Sequence, residues 1–163
     1  MPFNRQKKLK CSAFVHRRSV IIKKTRKFAC NLDYKLKNKL TTTMNKTFPK
    51  LIQTIIEGIQ EKKGRDIVVC NLTKFTSAPA QYFVVCTGNT PQQVDAIIDS
   101  VENFTGEKEH EKPCRITGRN NSTWVVADYG TVMVHVLVPM AREFYDIENI
   151  WEDAKISTIP NLD

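Results

Sequence analysis

The chain has 163 residues, 41% of them hydrophobic, with 25 Lys and Arg against 17 Asp and Glu and a formal net charge of +8. That length accommodates one domain of about 100–150 residues with a real core and some remainder. Its apolar runs are only a few residues long, far short of the roughly 18 needed for a membrane-spanning helix, so no membrane partner is expected.

The charge is divided along the chain. Residues 1–50 hold 15 Lys or Arg and one acid, Asp33, a net of +14, whereas residues 51–163 hold 10 against 16, a net of −6. An argument from the overall pI of 9.3 therefore concerns the leader alone. Residues 1–43 show no sustained period and place basic clusters at Lys7-Lys8, Arg17-Arg18, Lys23-Lys24 and Arg26-Lys27. They lack the 7–15-residue apolar segment of a secretory signal. Three readings stand: an organellar presequence, a disordered basic arm on RNA phosphates, or a stretch outside the working protein, which then begins at Met44.

From residue 44 the pattern becomes regular. Thr47 can cap a helix whose first turn tolerates Pro49. Leu51, Ile52, Ile55, Ile56 and Ile59 fall on one face of it, and Gly64 can supply a left-handed stop. Asp66 to Leu72 and Gln81 to Thr87 are short, β-branched and continuous, as in strands covered on both faces. Thr90, Pro91 and Gln93 make a helix start, followed by the buried stripe Val94, Ile97, Ile98 and Val101. Residues 106–113 read as a charged loop and Cys114 to Thr117 as a short strand. Trp124 to Asp128 and Thr131 to Val138 flank Tyr129-Gly130, a hairpin turn in which Gly takes positive φ. Met140, Phe144, Ile147 and Trp151 recur at i, i+4, i+7 and i+11, predicting a C-terminal helix with an apolar stripe. The tail 155–163 is polar, holds Pro160 and is expected to fray. This order predicts a mixed α/β (α+β) single domain, a mixed sheet flanked by helices over 44–154, after the 1–43 leader and before the tail.

No catalytic constellation emerges. Five cysteines (Cys11, Cys30, Cys70, Cys86, Cys114) are irregularly spaced without a C-x-x-C, which argues against zinc ribbons and for a reducing compartment. Alternation places His135 with Met133 and Leu137, opposite Val132, Val134 and Val136; a His there is more often structural than a base or metal ligand. His110 and Cys114 alone make no zinc site, and Ser77, Ser100 and Ser122 lack a nucleophile elbow. Thr87 to Pro91 joins a strand to a helix, where free amides could hold a phosphate, but no Walker lysine or G-x-G-x-x-G accompanies it. Metal-assisted nucleotidyl transfer needs paired acids such as D-x-D. Glu107-x-Glu109 is an E-x-E, but in a loop with Lys108 between, while Asp66 and Asp128 stand where Asp serves local turns. The conspicuous remainder is aromatic: Tyr82, Phe83, Trp124, Tyr129, Phe144, Tyr145 and Trp151. Tyr129 at the hairpin tip reads equally as an exposed protein-binding anchor or as a ring folded back over its own sheet.

At these residues a resemblance appears. The blocks Gln81-Tyr82-Phe83-Val84-Val85-Cys86-Thr87-Gly88, Trp124-Val125-Val126-Ala127-Asp128-Tyr129-Gly130, Val134-His135-Val136, and Arg142-Glu143-Phe144-Tyr145-Asp146-Ile147-Glu148-Asn149-Ile150-Trp151 closely resemble the ribosomal silencing factor (Iojap-like) family. They occur in order across about residues 48–153, nearly the whole body and none of the leader. The resemblance implies a nucleotidyltransferase-like fold without catalytic acids, no cofactor and no enzymatic activity. It implies binding to the large ribosomal subunit through its fourteenth protein, which blocks small-subunit joining and represses translation, with organellar members assisting large-subunit assembly. By position, Trp124 and Tyr129 match the contact with that protein, and Asp128 and Gly130 would shape the hairpin. Tyr82, Phe83, Gly88, His135, Arg142, Tyr145 and Trp151 match the pattern without an assigned role. Gln81 departs from it, standing where the family usually has Asp. A nucleotidyltransferase-like enzyme and an organellar assembly factor remain alternatives. A cytoplasmic setting is expected, with mitochondrion or plastid if residues 1–43 are a transit peptide; monomer and homodimer both stay open for the free protein. The expected native N-terminus, read by mass spectrometry, is Met44; a cleaved end between about residues 20 and 45 would mean import instead.

Overall fold

Ile52, Ile55, Ile56 and Ile59 are each buried completely by the first helix, α1 (Lys50–Glu61), of a computed structural model that describes residues 48–162. The expected cap Thr47 and the leader 1–43 lie outside the described residues. α1 starts directly behind Pro49 without a side-chain cap. It stops differently from the sequence expectation: Lys63, at φ 55°, takes the left-handed conformation. Gly64 is needed for space, because a Cβ there would collide with the Ile59 side chain.

Strand β1 (Arg65–Asn71) is buried from Ile67 to Cys70, and β2 (Tyr82–Thr87) from Phe83 onward, as their continuous apolar text requires. Helix α2 (Pro91–Lys108) starts as predicted. The Gln93 amide donates to Thr90 Oγ1 at 3.2 Å, and the Asn89 amide donates to Gln93 Oε1 at 2.8 Å. It runs to Lys108, into the stretch expected to be loop, because Thr105 is fully buried and keeps that turn against the sheet. Then come β3 (Arg115–Thr117), β4 (Trp124–Asp128) and β5 (Val132–Leu137). Gly130, at φ 78°, turns the β4–β5 hairpin, and its amide donates to Asp128 Oδ1 at 2.7 Å.

The strands form one six-stranded mixed sheet in the order β3-β4-β5-β2-β1-β6, with β2 and β5 parallel and the other pairs antiparallel. One face carries Val69, Val84, Val125, Val134 and Val136 against α1 and α2. The opposite face carries Val68, Cys70, Phe83, Val85 and Leu137, covered by the 72–80 loop and the C-terminal segment. Alternation along each strand sends neighbouring residues to opposite faces, so both must be apolar and both are. The architecture is the predicted mixed α/β single domain.

The C-terminal expectations need two corrections. Met140, Phe144, Ile147 and Trp151 do not form one helical stripe: α3 (Pro139–Tyr145) breaks at Asp146, at φ 41°, before a 3-10 turn (Ile147–Asn149). Asp tolerates that conformation through local hydrogen bonds, here two from Asn149 Nδ2 to its carboxylate at 2.8 and 2.9 Å. Ile147 is buried, whereas Met140 and Phe144 are 83% and 80% exposed. Nor does the tail fray: β6 (Lys155–Ile159) pairs antiparallel with β1 from Ile67↔Ile159 to Asn71↔Lys155. Backbone pairing to an existing edge holds a strand whose side chains are mostly polar.

The two helices meet closely at Gly58, where an added Cβ would lie 2.9 Å from Val101 Cα. Gly58→Ala is expected to push α1 from α2 and lower stability by about 1–3 kcal/mol in urea denaturation, although Ala is the better helix former.

Candidate functional site

Trp124 opens β4 on the face away from α1 and α2, half-buried beside the second core layer. Its ring lies 4.7 Å, centroid to centroid, from Tyr145, which meets Phe144 edge-on at 5.0 Å and 89°. A continuous aromatic strip thus runs from the sheet onto α3, and Phe144 and Tyr145 are exposed. The predicted site residue Trp124 and the motif residue Tyr145 are brought together. Phe144 and Met140 were not singled out as site residues, because an i, i+4 spacing of apolar residues ordinarily marks a buried stripe.

Beneath Trp124 sits His135, 6% exposed. Trp124 Nε1 donates to His135 Nδ1 at 3.4 Å, and the Phe83 ring centroid is 4.8 Å from the imidazole. This long bond makes Nδ1 the acceptor, so the neutral ring carries its proton on Nε2, which has no partner among the described residues. Burial pushes its pKa down to about 4. A neutral imidazole wedged between two aromatic rings supports the strip.

Arg142 explains much of the C-terminal block. Its Nε and Nη2 donate to Glu148 Oε1 at 3.0 and 2.8 Å, and its Nη1 donates to the Asp66 carbonyl and to Thr87 Oγ1, each at 2.7 Å. One guanidinium therefore ties α3, the 3-10 turn, the start of β1 and the end of β2 together. Asp66, at φ 51°, sits where the β1–β2 register shifts between Arg65 and Val68. That bulge turns its carbonyl to Arg142, and its amide donates to Asn161 Oδ1 at 2.8 Å. Arg142 and Glu148 side chains are 13% and 17% exposed, so losing either strands a nearly buried charge, at a cost of about 3–5 kcal/mol.

The hairpin residues divide into surface and interior. Asp128 spends its side chain on the Gly130 amide, and its carbonyl accepts from the Cys114 amide at 2.7 Å. Tyr129 is 8% exposed, its hydroxyl 3.0 Å from Thr105 Oγ1, and burial raises its pKa. The ring folds back over the sheet, so it is not the exposed anchor that spacing equally allowed. Tyr82 packs against the helix-side core, and Trp151 covers the opposite layer with its ring 5.1 Å from Phe75.

The enzyme alternative gains no geometry. At the strand-to-helix turn, the Gly88 amide donates to the Leu137 carbonyl at 2.9 Å, and the Asn89, Gln93 and Val94 amides are also bonded. A Cβ on Gly88 would lie 2.9 Å from Val94 Cγ2, so the glycine serves a tight turn. Asp128 lines up with Met133 and Phe83 across the sheet, while Asp66 follows Arg65, which pairs with Thr87 four residues further along β2. No carboxylate pair converges there. Among the described residues no cluster of three or more His, Cys, Asp or Glu could hold a metal, and no helix is long and apolar enough to cross a membrane. Cys70 and Cys86 are buried free thiols whose pKa values burial pushes up to about 11 and about 12, and Cys114 is a free, exposed one.

Comparison with known proteins adds relatives. The family described as "Ribosomal silencing factor during starvation" matches residues 45–163. The ribosomal silencing factor of Halalkalibacterium halodurans is 33% identical over 105 residues, 64% of this chain and 88% of its own. The chloroplastic protein Iojap of Zea mays is 31% identical over 110 residues, 66% of this chain and 46% of its own. A crystal structure of a Chromobacterium violaceum protein superposes with a TM-score of 0.60 at 33% identity, covering 69% of this chain and 92% of that one.

His135 generates a pH dependence. Its folded pKa of about 4 lies below the ordinary 6.5, so the unfolded chain binds the extra proton between those values. Stability is complete above pH 6.5 and falls as the pH drops through that window. This group alone is expected to lower stability by about 2 kcal/mol at pH 5 relative to pH 7. In parallel urea titrations, His135→Phe should remove that component of the slope.

Proposed function

This chain belongs to the ribosomal silencing factor family, and on that premise we propose that it binds the large ribosomal subunit through that subunit's fourteenth protein and keeps the small subunit from joining. Translation is repressed by bulk, with no chemistry at the site. The observation that carries this reading is the exposed aromatic strip beginning at Trp124, mounted on a sheet buried on both faces. Rigid aromatics held above a packed scaffold lose little entropy on binding and are the residues enriched in protein–protein anchors. Residues 51–163 carry a net −6, which disfavours bare RNA phosphate and favours a basic ribosomal protein.

Within this reading Trp124 makes the contact, and Asp128, Tyr129 and Gly130 hold the hairpin that orients its strand. The leader 1–43 takes no part in docking. The setting is cytoplasmic, as for the bacterial relatives. The chloroplastic relative favours a second reading, an organellar factor carrying an import segment, on the observation that the family match begins only at residue 45.

Trp124→Ala is expected to cost about 2–4 kcal/mol of large-subunit affinity with folding retained, read by cosedimentation. Residues 44–163 alone should cosediment with large subunits as the full chain does. A truncation that stays unbound while the full chain binds would move the contact into the leader. Tyr129→Ala should lower the melting temperature, since its ring is core.

A further inference from the structure

Helix α3 is unusual in burying none of its seven residues. A helix that short does not persist on its own. It stands because Arg142 ties it to both β1 and β2, Ala141 packs on the second core layer, and Tyr145 stacks on Trp124. At 100° per residue those three share the side facing the sheet, which leaves Met140, Glu143 and Phe144 together on the side facing solvent. Met140 and Phe144 are the most exposed large apolar side chains of the described residues.

The charge of this C-terminal segment is one-sided. Residues 139–154 hold Glu143, Asp146, Glu148, Glu152 and Asp153 against a single base, Arg142, and that base is taken up by Glu148. The other four acids are exposed and, among the described residues, form no ion pair. We infer that the outward side of α3, with Met140 and Phe144 as apolar anchors beside the carboxylates of Glu143 and Asp146, docks a Lys/Arg-rich protein segment that presents apolar side chains between its charges.

Charge complementarity selects that occupant. RNA phosphate is repelled by the uncompensated carboxylates of Glu143 and Asp146, and an acidic or neutral protein gains nothing from them. The face continues the strip that begins at Trp124, through Tyr145 to Phe144. The inference therefore rests on the proposed ribosomal reading and extends it, making α3 a second half of one contact surface. Apolar anchors hold the complex, and the two carboxylates accelerate encounter and give it a salt dependence.

The test uses the full chain and purified large subunits, with binding measured by cosedimentation at two salt concentrations. Two exposed-residue pairs are compared with wild type and with Trp124→Ala: Met140→Ser with Phe144→Ser, and Glu143→Lys with Asp146→Asn, the Asn being chosen because it tolerates the left-handed backbone. Circular dichroism melts check the fold of each. Each pair is expected to weaken binding about tenfold or more. The charge-altered pair should also lose most of the wild-type salt dependence. If both pairs bind within about twofold of wild type while Trp124→Ala does not bind, α3 is no part of the contact and only this inference falls. Tighter binding by the charge-altered pair would mean that the face meets RNA phosphate, which overturns it as well. If the wild-type chain itself fails to cosediment, the ribosomal reading fails and this inference with it.

Discussion

The architecture on the functional side depends on one guanidinium. Arg142 donates at once to Glu148, to the Asp66 carbonyl and to Thr87, joining segments 55 and 76 residues apart in the chain. A lysine could supply the charge but not a planar fork reaching three acceptors. Without those bonds, a helix with no buried residue would have only Ala141 and Tyr145 to hold it on the sheet. The bulge at Asp66 would also keep an unpaired carbonyl, and its left-handed backbone would lose the contact that repays its strain. The motif residues Arg142 and Glu148 are therefore positioning residues, and the surface they position is the aromatic one.

That surface shows how binding can be separated from stability. Ile52, Ile56, Val84 and Val134, all fully buried on the helix side, stabilise the domain. The opposite layer is covered thinly, by a loop, a short helix and a 3-10 turn. Its outer edge is where large apolar side chains reach water: Met140, Phe144, Tyr145 and Ile150. Large apolar groups gathered in one segment, rather than scattered, mark an interaction surface. A factor that acts by occupying space on a ribosomal subunit needs only such a surface and a rigid body behind it. The residues weighed for chemistry have structural places. His135 is buried and neutral, Asp128 closes a turn, and the amides of Gly88, Asn89, Gln93 and Val94 are already bonded.

Much of this was legible in the chain. The continuous β-branched runs at 66–72 and 81–87, the Thr90-Pro91-Gln93 start, the Tyr129-Gly130 turn and the stripe of α2 carry their conformations in short-range chemistry, and each forms as read. The alternation that put His135 with Met133 and Leu137 also holds. What failed was local reading where distant partners decide. The polar strand β6 looks like a frayed tail because backbone pairing leaves no mark in side-chain hydropathy. The stripe Met140-Phe144-Ile147-Trp151 looks like a helix face because nothing in its spacing announces Asp146 at φ 41°. Tyr129 could point either way until Thr105, 24 residues earlier, offered its hydroxyl a partner.

The sequence by itself determined the fold class, the two-faced sheet, the division between residues 1–50 at +14 and residues 51–163 at −6, and the family, because periodicity, turn chemistry, charge and motif order are written in neighbouring residues. Only the tertiary structure decided which aromatics are exposed and which are core. Tyr129 went inside, and Phe144, on an apparently buried stripe, went outside. Burial is a property of what packs against a residue, and for α3 that packing is set by Arg142 reaching across to Asp66 and Thr87, contacts that no local pattern encodes.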